Sequence, residues 1–247
     1  MNDHELSADV ARRAGELLVE LRASGIDDEK ELRRRGDNDS NDVILALLHE
    51  HRPDDAILSE ESKDDLARLD AARVWIVDPL DGTREFGEPG RVDWAVHVAL
   101  VEAETPTAAA VALPAQQIVL STATPPTVAA ASAGAPRVVV SRTRPPELSS
   151  FVAERLGAEL VAMGSAGAKT MSIILGDADI YAHGGGQFEW DSAAPVGVAA
   201  SAGLHVSRLD GSPLRYNQAD PYLPDLLVCR PELTDAVLEA IAAWPRA

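Results

Sequence analysis

Cysteine is nearly absent from this 247-residue chain, which contains only Cys229 and so cannot form an intrachain disulfide. The apolar residues in front of Cys229 indicate a small buried core residue rather than a nucleophile. No apolar run approaches the roughly 18 residues needed to cross a bilayer. The opening segment, MNDHELSADVARR, lacks the basic flank and apolar stretch of a signal peptide. We therefore expect a cytoplasmic protein that does not span a membrane.

Basic residues are also in the minority, with 22 Lys and Arg against 40 Asp and Glu and a formal net charge of −18. This charge repels a polyanion, so it argues against a partner that is a nucleic-acid polymer. A small phosphorylated substrate would meet the same repulsion unless divalent cations held by carboxylates reversed the local sign. An acidic protein that binds such a molecule would therefore need bound metals, although solubility alone explains most of these carboxylates.

Apolar periodicity predicts helices in the first part of the chain, followed by short strands. The first helix carries apolar residues from Leu6 to Leu21 and stops near Gly25, and the second follows Ser40 and ends at Pro53. Antiparallel pairing is expected among most of the strands that follow. The predicted strands are Ala56–Leu58, Val74–Val77, Trp94–Val101, Ala108–Leu113 and Ile118–Ser121.

A stretch rich in Ala, Pro, Thr and Gly at 125–136 is a plausible seam, and strands and helices alternate beyond it. We predict an α+β fold with an N-terminal half, 1–135, carrying most metal ligands and a smaller α/β half, 136–247, completing the site. The second half is predicted to contain strands Val138–Ser141, Leu160–Met163, Ile180–Ala182, Leu204–Ser207 and Leu226–Cys229, and helices Pro146–Leu156, Met171–Leu175, Asp191–Ala202 and one carrying Leu233 to Trp244.

The strongest motif is Asp78-Pro79-Leu80-Asp81-Gly82-Thr83, directly after the apolar run Val74–Val77. Two carboxylates that flank a proline turn at a strand end can point into one space, and a backbone carbonyl between them can also bind a cation. Gly82 and Thr83 would then present N–H groups and a hydroxyl to a phosphate. Without further context, Asp-Pro-x-Asp-Gly is also a common turn sequence.

Two more acidic segments supply that context. Glu60 follows a predicted strand in Ser59-Glu60-Glu61, and Asp191 opens a predicted helix in Trp190-Asp191-Ser192-Ala193-Ala194. Mg²⁺ takes several oxygen ligands, so carboxylates from three segments make a multi-metal site feasible. Taken singly, Glu60-Glu61 is typical of a solvated acidic pair and Asp191 of a helix N-cap. The order and spacing of the three segments favour the metal site.

Together these segments, with Phe86, resemble the lithium-sensitive, magnesium-dependent phosphatase superfamily of inositol monophosphatases, fructose-1,6-bisphosphatases and 3′(2′),5′-bisphosphate nucleotidases. The resemblance covers nearly the whole chain. It implies a layered αβαβα sugar-phosphatase-like fold, two or three bound Mg²⁺ ions and inhibition by Li⁺. The implied ligands are Glu60, Asp78 and the Leu80 carbonyl for one ion, Asp78, Asp81 and Asp191 for a second, and Glu60 for a third.

The resemblance also implies that Thr83, paired with an upstream aspartate, orients the attacking water. The matching residue is Asp37, and Asp39 is the alternative. One ion would lower the pKa of a bound water, which attacks phosphorus in line, and the other would stabilise the leaving alkoxide. A histidine zinc site is the weaker interpretation, because no shared ligand spacing connects His49, His51, His97, His183 and His205.

Within the superfamily, three further segments most resemble the bacterial CysQ-type branch, which hydrolyses 3′-phosphoadenosine 5′-phosphate to AMP during sulfate assimilation. These segments are 140–144 (VSRTR), 164–169 (GSAGAK) and 210–217 (DGSPLRYN). The chain departs from that branch where it has Arg144 in place of a histidine and His183-Gly184 in place of a Pro-Arg pair. A bisphosphate substrate needs cations for its non-reacting phosphate, and Arg215 is a further candidate for this role. The predicted substrate-binding residues are Gly82, Thr83, Ser141, Arg142, Arg144, Ser165, Lys169 and Asp191.

Two alternatives stay open at this point. One is a phosphatase for inositol-1-phosphate or fructose-1,6-bisphosphate, which keeps the chemistry and changes the small phosphorylated substrate. The other is a catalytically silent homologue that binds phosphate or metal as a regulatory module. The sequence also leaves the oligomeric state open, a homodimer included.

Overall fold

The computed structural model of the chain describes residues 1–64 and 66–245. Helix α1 spans Asp3–Arg22 and begins with a capping box, in which the side chain of Asn2 accepts from the N–H of Glu5 and the Glu5 carboxylate accepts from the N–H of Asn2. Its buried residues recur at helical spacing from Leu6 to Leu21. The predicted first helix is thus confirmed.

Helix α2 spans Glu29–His51, so the prediction that it begins after Ser40 is wrong. Asp28 caps the true start by accepting from the N–H groups of Lys30 and Glu31. The first half of α2 has little apolar patterning, and ion pairs such as Arg34–Glu31 at helical spacing occupy its surface instead. The segment that contains Asp37 is therefore helical, and the helix ends before Pro53 as predicted.

The first sheet has the strand order β1-β2-β3-β4-β5, with β1 parallel to β2 and each later neighbour antiparallel. This arrangement confirms the predicted strands and their largely antiparallel pairing. The bounds are β1 Ala56–Ser59, β2 Arg73–Asp81, β3 Ala95–Glu102, β4 Thr105–Leu113 and β5 Ile118–Ser121, with the short helix α3 at Thr83–Gly87 after β2.

Alternation along these strands gives the first sheet two apolar faces. On β2, Trp75 and Val77 pack into a core that also contains Leu6, Leu18 and other residues of α1 and α2. Val74 and Ile76 lie on the opposite face, in a second core. A sheet that is buried on both faces needs a layer of helices on each side.

The second sheet has the order β10-β12-β8-β6-β7, with β6 parallel to β7 and β8 and antiparallel pairs at β8–β12 and β12–β10; β9 and β11 form a small antiparallel ribbon. The bounds are β6 Arg137–Ser141, α4 Glu147–Leu156, β7 Glu159–Met163, α5 Ala166–Leu175, β8 Ile180–His183, β9 Gln187–Phe188, α6 Glu189–Ser201, β10 His205–Ser207, β11 Tyr222–Leu223, β12 Leu226–Cys229 and α7 Thr234–Ala242.

Among the described residues, no helix combines the length and apolar character needed to cross a membrane.

The layers follow the order predicted for the superfamily. Helices α1 and α2 cover one face of the first sheet, α5 and α6 lie between the two sheets, and α4 and α7 cover the outer face of the second sheet. The α+β, αβαβα arrangement is therefore confirmed. The predicted division at residue 135 falls in the segment between β5 and β6. Cys229 is buried in the outer core, as expected.

Candidate active site

Carboxylates from three segments, the ends of β1 and β2 and the start of α6, meet at one edge of the first sheet. Because β1 and β2 are parallel and paired from Ala56–Val74 to Ser59–Val77, the residues that follow them emerge side by side. The N–H of Glu60 continues this pairing by donating to the carbonyl of Val77. The start of α6 brings Asp191 to the same edge.

A strand irregularity places Asp78 and Asp81 on the same side. Residues three apart in a regular strand point to opposite faces. Here the pairing of β2 with β3 shifts between Asp78 and Asp81, around Pro79, so both carboxylates can approach one point. Each of Asp78, Asp81 and Asp191 offers one carboxylate oxygen, and these oxygens lie within 4.8 Å of one another.

The charges of this cluster are poorly compensated by the protein. Burial and the neighbouring carboxylates of Glu60 and Asp81 raise the pKa of Asp78 well above its usual value. Burial and the charge of Asp81 raise the pKa of Asp191 to about 6. Burial of the carboxyl group and the charge of Asp191 raise the pKa of Glu60 to about 7. A divalent cation would remove this repulsion, and oxygen ligands are those that Mg²⁺ prefers. The residues present therefore fit the metal that the resemblance implies.

Asp81 is the exception, because its pKa is lowered. Burial alone would raise it, but the charges of His97 and Lys169 and hydrogen bonds to its oxygens outweigh burial. Its Oδ2 accepts from Ser165 Oγ and, at 2.7 Å, from the N–H of Gly167. The start of α5 thus holds a carboxylate that belongs to β2.

Gly82 forms the turn from β2 into α3. Its φ of +88° lies in the region that favours glycine. A Cβ there would also lie 3.1 Å from Cβ of Ser165 and 3.3 Å from the carbonyl oxygen of Asp93. The turn brings Thr83 next to the carboxylates as the first residue of α3.

Thr83 and Asp37 are in direct contact. The Thr83 hydroxyl lies 3.1 Å from Oδ1 of Asp37 and 3.1 Å from the Leu80 carbonyl oxygen, and its single hydrogen can serve only one of them at a time. Burial and the charge of Glu61 raise the pKa of Asp37 to about 6. Asp39, the alternative partner, instead pairs with Arg35 at 2.7 Å along α2.

Close packing of α2 against the turn between Asp78 and Asp81 sets the position of Asp37. A Cβ on Gly36 would lie 2.7 Å from Leu80 and 2.8 Å from Phe86, so glycine permits this approach. The Ser40 hydroxyl donates to the carbonyl of Pro79 at 2.7 Å. Both contacts join the helix to the turn between Asp78 and Asp81.

Two of the predicted substrate-binding residues lie inside the protein. Ser165, at the unusual φ of +48°, caps α5 by accepting from the N–H of Ala168. Lys169 is 6% exposed, and its Nζ donates to the carbonyls of Ser165 at 2.7 Å and Gly164 at 3.3 Å. Burial lowers the pKa of Lys169, against the opposing charges of Asp81 and nearby acids. Both side chains support the carboxylate cluster from the α5 side.

The predicted arginines differ in what they contact. Arg142 forms ion pairs with Glu85 and Glu88, each at 2.8 Å. Arg144 is exposed, and its backbone N–H donates to Ser141 Oγ at 3.3 Å. The exposed Arg215 pairs with Glu104.

Sequence reasoning missed His97, which lies in the middle of β3 directly opposite Asp78. Its side chain is fully buried, and Nε2 lies 3.2 Å from Oδ2 of Asp81. Burial lowers its pKa, but the Asp81 carboxylate reverses the direction and leaves it raised. The signal available was a lone histidine at an inward position of the apolar run from Ala95 to Val101.

Comparison with known proteins gives a consistent result. The model described as the inositol monophosphatase family matches residues 4–243. A Mycobacterium leprae protein named 3′-phosphoadenosine 5′-phosphate phosphatase is 50% identical over 98% of this chain and 94% of its own length. A Mycobacterium tuberculosis protein of the same name is 54% identical over 94% of this chain and 90% of its own length. The crystal structure of CysQ from Bacteroides thetaiotaomicron, 25% identical, superimposes with a TM-score of 0.81 over 92% of this chain and 96% of that one.

Proposed function

The chain belongs to the inositol monophosphatase family, and we propose that it is a Mg²⁺-dependent phosphatase that hydrolyses 3′-phosphoadenosine 5′-phosphate to AMP and phosphate. The observation that carries the proposal is the close approach of Asp78, Asp81 and Asp191 beside the Thr83–Asp37 pair. The names of the relatives that are 50% and 54% identical support the choice of substrate.

The cation site would be formed by Asp78, Asp81 and Asp191, with Glu60 and the Leu80 carbonyl as further ligands, for two or three Mg²⁺ ions. When bound, Mg²⁺ lowers the pKa of water and neutralises charge that develops on the phosphoryl group and the leaving oxygen. The buried carboxylates would hold the positive charge of the cations at one place. This charge would offset the repulsion between an acidic protein and a phosphorylated substrate.

Thr83 and Asp37 would orient the attacking water. When the Thr83 hydroxyl donates to Asp37, its oxygen is left to accept a hydrogen from water. Asp37 is a suitable proton acceptor near neutral pH, because its pKa is raised to about 6. Hydroxide would then attack phosphorus in line, without a covalent intermediate.

The second phosphate of the substrate requires a cation of its own. Arg142 is already neutralised by Glu85 and Glu88, and Lys169 is buried against backbone carbonyls. The exposed Arg144 is therefore our proposed contact for the non-reacting phosphate, with Ser141 holding its backbone.

Phosphate release from 3′-phosphoadenosine 5′-phosphate, inositol-1-phosphate and fructose-1,6-bisphosphate, measured at one Mg²⁺ concentration, tests the proposal. We expect the highest kcat/KM on the nucleotide and no turnover by the Asp81→Asn variant. A preference above tenfold for inositol phosphate, which is about 1.4 kcal/mol of transition-state discrimination, would refute the substrate assignment. No release from any of the three would favour a non-catalytic homologue.

A further inference from the structure

His97 connects two elements that supply carboxylates to the site. Its Nδ1 lies 3.0 Å from the carbonyl oxygen of Trp190, which can only accept, so Nδ1 carries the hydrogen. Its Nε2 lies 3.2 Å from Oδ2 of Asp81, an electrostatic contact because the alignment is not that of a hydrogen bond. One ring therefore contacts a carboxylate of β2 and the backbone directly before Asp191.

Gly167 makes room for this ring. A Cβ at position 167 would lie 2.0 Å from Nε2 of His97, far inside any real contact. The N–H of Gly167 meanwhile donates to the same oxygen of Asp81, at 2.7 Å. Because glycine is a poor helix former, its presence in the first turn of α5 has no local advantage. The absence of a side chain at Gly167 is therefore what allows the His97 imidazole to lie beside Asp81.

All of these contacts fall on one oxygen of Asp81. Oδ2 accepts from Ser165 Oγ and from the N–H of Gly167, and it faces Nε2 of His97. A carboxylate held by one oxygen cannot rotate freely, and this fixes the direction of the other oxygen, Oδ1. Groups that hold a metal ligand from behind in this way commonly set its geometry and the affinity for the ion.

We infer that His97 is a positioning residue that orients Asp81 and anchors the Trp190–Asp191 backbone, so that the carboxylates of β2 and α6 are set for a divalent cation before it binds. The inference rests on the cation site of the proposed function. Gly167 is its structural counterpart, because any side chain there displaces the ring from Asp81.

Affinity for Mn²⁺ alone, measured by electron paramagnetic resonance without substrate, tests this role. His97→Ala should bind Mn²⁺ about 10- to 100-fold more weakly than the unaltered protein, at a temperature where circular dichroism shows both folded. His97→Gln, whose amide can reach the Nε2 position, should recover most of the affinity. His205→Ala is the matched control, since that histidine contacts Ser207 on β10, and its affinity should not change.

Gly167→Ala extends the test to the matched pair. Alone it should weaken Mn²⁺ binding at least tenfold. In the His97→Ala background it should change affinity less than twofold, because the ring it would displace is absent. If His97→Ala does not fold, the Mn²⁺ affinities of His97→Gln and Gly167→Ala still test the positioning role. A Gly167→Ala variant that binds Mn²⁺ as tightly as the unaltered protein would overturn the inference.

The outcomes also separate this inference from the proposed function. If the unaltered protein binds no Mn²⁺, the cation site itself is wrong. If the unaltered protein binds Mn²⁺ and releases phosphate while folded His97→Ala binds equally well, only the positioning role is wrong. A lower melting temperature of His97→Ala with unchanged Mn²⁺ affinity would likewise show a purely structural role and overturn the inference.

Discussion

Replacing Asp191 by Asn should stabilise the metal-free protein and reduce its stabilisation by Mg²⁺. Burial and the Asp81 carboxylate raise the pKa of Asp191 to about 6, so its ionised form is disfavoured in the folded state. Asn removes that charge and can still accept the N–H of Phe188, which bonds to Asp191 Oδ2 at 2.6 Å. The helix start is thereby kept while the repulsion is lost.

The magnitude follows from the change in proton affinity. A rise in pKa from 3.8 to about 6 corresponds to about 3 kcal/mol of folding free energy above pH 6. The folded state holds more protons than the unfolded state between these values, so the stability of the unaltered protein falls as pH rises from about 4 to about 6. The Asp191→Asn variant lacks this pH-dependent loss of stability. Its free energy of unfolding should therefore exceed that of the unaltered protein by about 3 kcal/mol at pH 7.5 and by little at pH 4.

Urea unfolding in the presence of a chelator, at pH 4 and pH 7.5, measures both differences. Asp39→Asn is the control, because the Asp39 carboxylate pairs with Arg35 on the surface of α2, and the change in its free energy of unfolding should stay within about 0.5 kcal/mol. Added Mg²⁺ at 100 times its Kd should stabilise the unaltered protein by about 2.7 kcal/mol, and the same concentration should stabilise Asp191→Asn clearly less.

Three results would refute this reasoning. An Asp191→Asn variant that is less stable than the unaltered protein at pH 7.5 without metal would show that the carboxylate is compensated in the folded state. A stability difference that is the same at pH 4 and pH 7.5 would show that the pKa of Asp191 is not raised. Stabilisation of the variant by Mg²⁺ equal to that of the unaltered protein would contradict its assignment as a ligand.

Three other predictions concern the water, the substrate and the cation. In steady-state kinetics, Thr83→Ala should lower kcat at least about 100-fold while KM changes little, and Thr83→Ser, which keeps the hydroxyl, should retain much of the kcat. An equal loss of kcat in both variants would contradict the role of the hydroxyl. Arg144→Gln should raise KM about tenfold for the nucleotide bisphosphate and not for inositol-1-phosphate. The control Arg155→Gln should leave KM unchanged for both substrates. Equal effects of Arg144→Gln on both substrates would contradict a contact to the second phosphate. Li⁺ should inhibit phosphate release in competition with Mg²⁺, and insensitivity at millimolar Li⁺ would contradict the expected metal chemistry.

Much of the fold could be predicted because its signals are local. Short apolar runs located most strands of both sheets, and along β2 such a run buries Trp75 on one face and Ile76 on the other. The first half of α2 was missed because its apolar residues are few, and its start depends on the Asp28 cap and its packing on contacts with Leu80 and Phe86.

The candidate site likewise has residues that could be predicted from the sequence and contacts that could not. Its acidic residues stand at strand ends and a helix start, where spacing along the chain marks them, so Glu60, Asp78, Asp81 and Asp191 could be proposed without coordinates. Which helix residue meets Thr83 could not be decided by spacing alone, since Asp37 and Asp39 are two residues apart. Helix α2 turns about 200° over two residues, so only one of them can face the turn between the carboxylates.

Tertiary structure alone decided what lies behind the carboxylates. His97 reaches Asp81 from a neighbouring strand, and Gly167 approaches both from α5, 86 residues beyond Asp81 in the chain. Lys169, predicted from the sequence to bind substrate, is buried by the same packing of α5. The sequence by itself determined which groups can bind a cation, because that depends on residue type and local spacing. How those groups are held and charged depends on distances between segments that only the packed layers bring together.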